Sequence, residues 1–476
     1  MTTTNGNRKI LDLKRWEYVT TAPVATQAGA FIASSRQYKQ QQLYVRSNTE
    51  AYLYNPSEDG FVQITSPALA GTFGGGAAGV AGSFSTGTTV GAFTLTATGG
   101  TTTTLVTNQT LARDLRGYSI QLVGGPGAGD TRVIASNTIG SNATVTVTSA
   151  FSSSPTVSTT YRLITPVWYV VGAGTLASGS FKKYDYATNT WTTLTQTGLP
   201  ATIGTDGKLL TTPSWIDSNY LNFASGTATA GAATTLTDST KNWTASQWIN
   251  YQVRIISGTG AGQIRTITAN TATALTVATW GTNPSTDSVY AIQGNDDNIY
   301  YMGNAGTAVY KYSITSNGSW TTLTARGSAP GAGLSAHWIY GATDSAWTSE
   351  NAIINGRRIY SFRGGAGAFL DYYDIPSNAW TAAVTYSPGV ETFTTGSKYN
   401  YIGNYLYITK DVTNRLFRYN LVTQEMDGWT SLLYTQGAAI VGDTLFDIEY
   451  TDGATEIQYV YFLLNTSTAL LRQMVI

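Results

Sequence analysis

The chain has 476 residues, only 11% of them charged, and its 27 basic and 27 acidic side chains give a formal net charge of zero. Phosphate recognition needs a basic excess or a basic stripe, so this balance argues against nucleic acid as a partner. The absence of Cys removes disulfides, thiolate metal sites and thiol nucleophiles together.

No run of about 18 apolar residues is present, so no membrane-spanning helix is expected. The first residues lack an apolar stretch of signal-peptide length, which predicts synthesis in a cytosol without secretory export. Long helical periodicity is missing throughout. Short β-branched and aromatic runs, bounded by Gly, Asn, Asp and Pro, predict an all-β chain instead.

In chain order, the first predicted strand carries Trp16 and has no partner strand before it. Tyr52 to Phe61 then reads as a hairpin, with an aromatic strand end, the turn Asn-Pro-Ser-Glu-Asp-Gly, and Phe61 opening the return strand. The glycine-rich stretch 71–82 falls where a small-residue strand is needed, and an ordered strand is expected there rather than a linker. Related hairpins follow. One runs through Tyr184 and Asp185 to Trp191, one ends in Trp320, one runs through Tyr373 and Asp374 to Trp380, and one ends in Trp429.

Several copies are preceded by a strand running into glycine, as in Trp168-Tyr-Val-Val-Gly, Ile299-Tyr-Tyr-Met-Gly and Ile359-Tyr-Ser-Phe-Arg-Gly-Gly. The last repeat, from Tyr459, ends the chain without its Trp strand. The strand at Trp16 is therefore expected to complete the final repeat and close a ring. A strand entering Gly-Gly, then Tyr-Asp, a turn and a Trp strand resembles the Kelch-type propeller blade. The resemblance implies a six-bladed β-propeller closed by the N-terminal strand.

Propeller blades run about 40–50 residues. The spacings Trp16–Phe61, Trp320–Trp380 and Trp380–Trp429 are 45, 60 and 49, but Phe61–Trp191 and Trp191–Trp320 are 130 and 129. The excess carries its own repeat. Residues 115–137, with Tyr118, Gly127, Gly129 and Arg132, align with 248–270, with Tyr251, Gly260, Gly262 and Arg265. Two homologous small β-domains, 91–165 and 221–293, are thus expected as insertions in consecutive blades. The propeller would occupy 1–90, 166–220 and 294–476. The Gly-Thr-Gly-Ala-Gly-Gln-x-Arg-x-Ile pattern resembles small β-domains of tailed-phage virion proteins.

Candidate chemistry is thin. The Gly-Ala-Gly loops lack the Lys-Ser/Thr and the helix of a phosphate-binding loop, so tight hairpin turns are expected. Arg132 and Arg265 are expected to orient those loops. The single histidine, His337, cannot by itself form a usual metal site or triad. Acidic clusters occur at Asp296/Asp297, Asp371/Asp374 and Asp443/Asp447/Glu449, and paired carboxylates are what glycosidases need. Asp185 and Asp374, however, hold one slot of the hairpin repeat, which marks a turn position. The recurrent Trp residues are expected to pack between sheets, so Trp380→Ala should cost on the order of 3–5 kcal/mol.

The expectation is a non-enzymatic structural protein of a tailed-phage virion, capsid-, neck- or tail-associated. It would be made in the host cytoplasm, have no cofactor or metal, and be multimeric in the particle through contacts with other virion proteins. The alternative is a host-surface receptor or glycan-binding module. A carbohydrate-active enzyme is the weaker third reading.

Overall fold

A computed structural model describes residues 94–172, 179–203 and 222–293 without interruption, and most of 41–93. The longer stretches outside the described residues are 1–16, 24–29, 34–40, 328–334, 340–357, 363–368, 386–397, 432–443 and 464–469, with shorter gaps elsewhere. The described residues form strands and turns and contain no helix.

Six four-stranded antiparallel sheets are found among them. Five use four strands in chain order. The first, for example, comprises Phe31–Ala33, Gln42–Ser47, Glu50–Asn55 and Gly60–Gln63. The sixth takes three strands from the C-terminal region, Thr444–Asp452, Thr455–Leu463 and Leu470–Val475, and its fourth from Glu17–Tyr18. There Glu17 pairs with Arg472 and Tyr18 with Leu471. Trp16 lies outside the described residues.

The leading edge strands of the six sheets are Phe31–Ala33, Ala78–Gly82, Lys208–Thr211, Ser335–Ile339, Lys398–Ile402 and Thr444–Asp452. Each lies beside the next, and the last lies beside the first. Ala78–Gly82 falls within the glycine-rich stretch and pairs along Val167–Val171. Small residues are required there, since a methyl on Gly79 would collide with the Phe31 ring of the first sheet.

The cores lie between neighbouring sheets. Val167–Val171, of sequence Val-Trp-Tyr-Val-Val, is buried at every position because its alternate side chains enter two different cores. Trp168 and Val170 join Leu43, Val45 and Leu53 of the first sheet. Val167, Tyr169 and Val171 join Leu209, Ile299 and Tyr301 of the third. A strand covered on both faces reads as a continuous apolar run rather than an alternating one.

Between Ala78–Gly82 and Val167–Val171 the chain builds a seven-stranded sheet. Its spatial order is Leu95–Thr96, Thr160–Ile164, Ser119–Gly124, Thr131–Asn137, Thr144–Val147, Thr104–Val106, Gly99–Thr101. Between Lys208–Thr211 and Asn298–Met302 it builds another, in the equivalent order Asn222–Thr227, Val289–Gln293, Gln252–Ser257, Ile264–Asn270, Ala274–Val277, Thr235–Thr237, Ala230–Ala232. Two irregularities match, while a third, at Asn222/Ala224, is found in the second of these two sheets alone. Register shifts fall at Leu122/Gly124 and Ile134/Ser136 in the first, and at Ile255/Ser257 and Ile267/Ala269 in the second. Each encloses its own core, around Leu105, Ile120, Val145 and Tyr161 in one and Leu236, Val253, Leu275 and Tyr290 in the other.

The pairing of the chain ends is directly testable, because the protein has no native cysteine. Tyr18→Cys with Leu471→Cys should give a disulfide under mild oxidation, since directly paired strand positions fall within the Cα separation a disulfide accepts. A shift in non-reducing electrophoretic mobility would report it, and each single variant should show none.

Candidate functional site

The hairpin repeat places an aromatic pair on facing positions. Tyr54 pairs with Phe61, Tyr184 with Trp191 and Tyr373 with Trp380, with ring centroids 4.6, 4.9 and 5.5 Å apart. Tyr312 and Trp320 lie 5.3 Å apart in the third sheet. Phe417 pairs in register with Trp429 in the fifth sheet; the side chain of Trp429 lies outside the described residues.

The turn between the paired aromatics is built by a residue in left-handed conformation: Asp59 (φ 48°), Asn189 (φ 52°) and Asn378 (φ 50°). Asn and Asp tolerate this backbone better than other side chains do. Each also accepts a hydrogen bond from the tyrosine five residues earlier, Tyr54 (3.0 Å), Tyr184 (2.7 Å) and Tyr373 (2.7 Å). The same amides reach the neighbouring sheet. Asn189 Nδ2 donates to the Ser66 carbonyl (3.0 Å), and the Thr324 N–H donates to Asn378 Oδ1 (3.0 Å). Sequence reasoning passed over these residues, although a Tyr-x4-Asn/Asp spacing at 54/59, 184/189 and 373/378 was visible.

Asp185 and Asp374 close the same turns by accepting from the backbone N–H of Thr188 (3.3 Å) and of Ser377 (3.1 Å). Asp185 is fully buried and takes a second bond from the Ser85 hydroxyl, on the segment leading into the first insert. Beside it, buried Lys183 donates to Thr86 Oγ1 (3.1 Å), the Gly87 carbonyl (2.9 Å) and the Thr89 carbonyl (3.1 Å). Burial pulls the Lys183 ammonium below its usual range, and the Asp185 charge works against that. Asp371 forms a buried ion pair with Arg326 at 2.6 Å. Asp296, Asp297 and Asp443 lie outside the described residues, as do the side chains of His337, Asp447 and Glu449. No group of three or more acidic or histidine side chains able to share a metal ion occurs among the described residues.

The tryptophans are not equivalent. Trp320 is 3% exposed in the core between the second and third sheets. Trp191 and Trp380 are half-buried, as is Phe61. The Trp380 indole N–H donates to the Thr324 carbonyl of the preceding sheet (3.1 Å) while its face carries the Arg326 guanidinium at 5.1 Å. Inter-sheet placement is common to the three tryptophans, since Trp191 packs against the core shared by the first and second sheets; what differs is the depth of burial. The outer strand opens onto solvent along one face, so among the described aromatics of the hairpin repeat's return strands it is Trp320 that loses nearly all its exposure.

The first insert is fastened to the second sheet by Arg113. Its guanidinium donates to Tyr184 Oη and to Asn189 Oδ1, both at 3.0 Å, and sits 4.8 Å from the Tyr186 ring centroid. Tyr118 packs on Tyr186 at 5.7 Å, and the Ala112 N–H donates to the Ala187 carbonyl (2.9 Å). Tyr251, aligned with Tyr118, packs instead on Trp248 within its own insert at 5.3 Å.

Inside each insert the aligned arginines bind their own loops. Arg132 donates through Nε to the Ala150 carbonyl (2.8 Å) and through Nη1 to the Thr131 carbonyl (3.0 Å). Arg265 does the same with Thr279 (3.0 Å) and Ile264 (2.9 Å). The aligned Asn137 and Asn270 form a second matched clamp, accepting from the N–H of Leu115 (2.8 Å) and of Trp248 (2.7 Å). Gly127 and Gly260 face their own insert, while Gly129 and Gly262 stand where the two inserts meet.

The inserts differ at one buried acid. Asp238 accepts from Tyr290 Oη (2.8 Å) and Thr240 Oγ1 (2.6 Å), with Lys241 Nζ at 3.8 Å. Burial acts to raise its carboxyl, but the hydrogen bonds and Lys241 outweigh it and hold it below the usual carboxylate range. In the first insert Tyr161 Oη donates to Asn108 Oδ1 (3.1 Å), an amide that does not titrate.

No protein-family model matches the chain, and no curated protein does. Among solved structures it is similar to the hydrazine synthase of Kuenenia stuttgartiensis, with 11% identity, 35% of this chain and 42% of that chain covered, and a TM-score of 0.22. It is also similar to the glutaminyl cyclase of Myxococcus xanthus, with 10% identity, 53% of this chain and 95% of that chain covered, and a TM-score of 0.25. The chain thus spans less than half the length of the hydrazine synthase chain. Likeness this loose carries no argument about activity.

Two predictions follow from this geometry. Trp320→Ala should cost on the order of 3–5 kcal/mol in chemical denaturation and Trp380→Ala measurably less, because the cavity term requires burial. A depressed folded-state pKa gives stability that is present above the unfolded value and lost as pH falls through the folded one. Hydrogen exchange followed from pH 6 to pH 2 should therefore show the second insert losing protection before the first, and Asp238→Asn should narrow that difference. The remainder falls to Asp287, whose carboxyl is also held low by Ser285 and Thr259.

Proposed function

We propose that the chain is a non-enzymatic structural protein of a tailed-phage virion. Its six four-stranded sheets are the blades of a closed propeller, and its two inserts are β-domains that contact neighbouring virion proteins.

One observation carries the architectural half. The leading edge strands follow one another in chain order with the last beside the first, and the chain ends pair in one sheet. Closing a ring in this way leaves only short protected edges. The two inserts leave the same connection, between first and second strands, of consecutive sheets, so they would project side by side from one face.

The structural character of the protein is supported by how its polar groups are spent. Asp185, Asp374, Lys183 and Arg113 are engaged in turns and in fastening the first insert. The virion setting rests on the resemblance of the glycine-rich insert pattern to small β-domains of tailed-phage particles. Zero net charge is tolerated better in a fixed assembly than in a concentrated free monomer.

Mass spectrometry of purified particles should find the chain at a fixed copy number. A chain lacking 221–293, shown to remain folded by its thermal melt, should fail to join them. Normal incorporation of that shortened chain would sink the docking role. Binding of the intact chain on a glycan array would favour host-surface recognition instead.

A further inference from the structure

The Gly-Ala-Gly turn of each insert is closed by its own backbone. Gly129 N–H donates to the Leu122 carbonyl (2.9 Å), and Gly262 N–H to the Ile255 carbonyl (2.8 Å). The α-carbons of these two glycines face away from their own hairpins and toward the other insert. A methyl group on Gly129 would stand 2.8 Å from the Ile256 carbonyl oxygen. One on Gly262 would collide with the Val123 carbonyl oxygen and press on the Ala128 side chain, whose carbon would be 2.6 Å away. Arg254, buried at 5% exposure, donates from Nη2 to the Gly129 carbonyl across the same junction at 3.0 Å.

The contact is reciprocal. Gly129 and Gly262 are aligned positions, and Val123 and Ile256 are aligned positions with the same offset of 133. The turn of each copy therefore rests on the strand end of the other through equivalent residues. Such an exchange is the mark of a two-fold, isologous contact. Two modules displaced only by the rotation between adjacent sheets of a ring would meet head to tail, through different residues on each. The inserts must instead be turned on their stems to present the same surface to one another.

We propose that the Gly-Ala-Gly turn is a homotypic docking element. It recognises a second copy of the same β-module, and in this chain it locks the two inserts into one pseudo-two-fold body. The occupant of each docking face is the other insert. Glycine is needed at 129 and 262 for backbone-to-backbone approach, beyond what the left-handed turn asks (φ 97° and 85°). Gly127 and Gly260 supply the internal comparison. Their backbones are also left-handed (φ 76° and 82°), yet they face Leu122 and Gln263 of their own inserts. The inference is independent of where the protein works.

The test uses the full chain with the exposed pair Ile139→Cys and Ala272→Cys, one in each insert, carrying spin labels. The absence of native cysteine makes the labelling specific. The interlabel distance distribution should be narrow in the parent and in Gly260→Asn, since Asn tolerates the left-handed backbone. It should lose that narrow component in Gly262→Asn. A narrow distribution retained in Gly262→Asn, or an equal loss in Gly260→Asn, would overturn the proposal. Should Gly262→Asn fail to fold, Arg254→Gln decides, because it leaves both turns intact. A broadened distribution supports the docking element, and an unchanged one rejects it.

Discussion

A single turn residue in left-handed conformation holds much of this architecture together. At Asn189 one side-chain amide accepts from Tyr184 within its hairpin and from Arg113 of the first insert, and donates to the Ser66 carbonyl of the preceding sheet. Asn378 likewise accepts from Tyr373 within its hairpin, and it meets the preceding sheet as an acceptor, from the Thr324 N–H. Net hydrogen-bond energies are about 1 kcal/mol each, so no one bond is decisive. Their convergence on a residue with few backbone alternatives fixes how far one sheet can rotate against the next. The aromatic pairs behind the turn then pack in a defined geometry.

The same economy explains the low charge. Buried ionic groups are costly unless paired and hydrogen-bonded, and those buried here have defined tasks. Lys183 and Asp185 hold the entry to the first insert against the second sheet, and Arg326 with Asp371 stitches the third sheet to the fourth. A chain rich in Thr, Ser and Gly satisfies most of its remaining polar demand through backbone and hydroxyl bonds. Other buried charges act within one element, as Asp374 does in closing its turn and Asp238 in bracing the second insert.

The two inserts show which features of a duplicated module are held and which drift. The arginine, the clamping asparagine and both bulges superimpose in role. The core residues around them have changed, with Leu115 and Phe151 in one copy answered by Trp248 and Trp280 in the other. A core accepts substitution when volume is redistributed among neighbours. A loop held by particular backbone acceptors, or a glycine pressed against a carbonyl, has no comparable freedom. Attachment has diverged too, since Tyr118 serves the junction with the second sheet while Tyr251 serves its own core.

The sequence by itself determined the all-β character, the hairpin repeat, the strand that pairs with the C-terminal region and the duplication near 115–137 and 248–270. Each is written in local patterns: turn residues at fixed offsets, apolar runs, and a long-range self-match. It also marked Asp185 and Asp374 as turn residues, because they recur in one slot. Only the tertiary structure decided which tryptophan is buried, since spacing alone does not say which face of an outer strand meets solvent. Arg113, Lys183 and Arg254 were illegible for the same reason, as their partners lie 71, about 95 and 125 positions away. Most of all, the sequence showed that the two inserts are alike but not that they face each other. Likeness is carried by residue order, whereas a two-fold contact depends on how two stems turn in space.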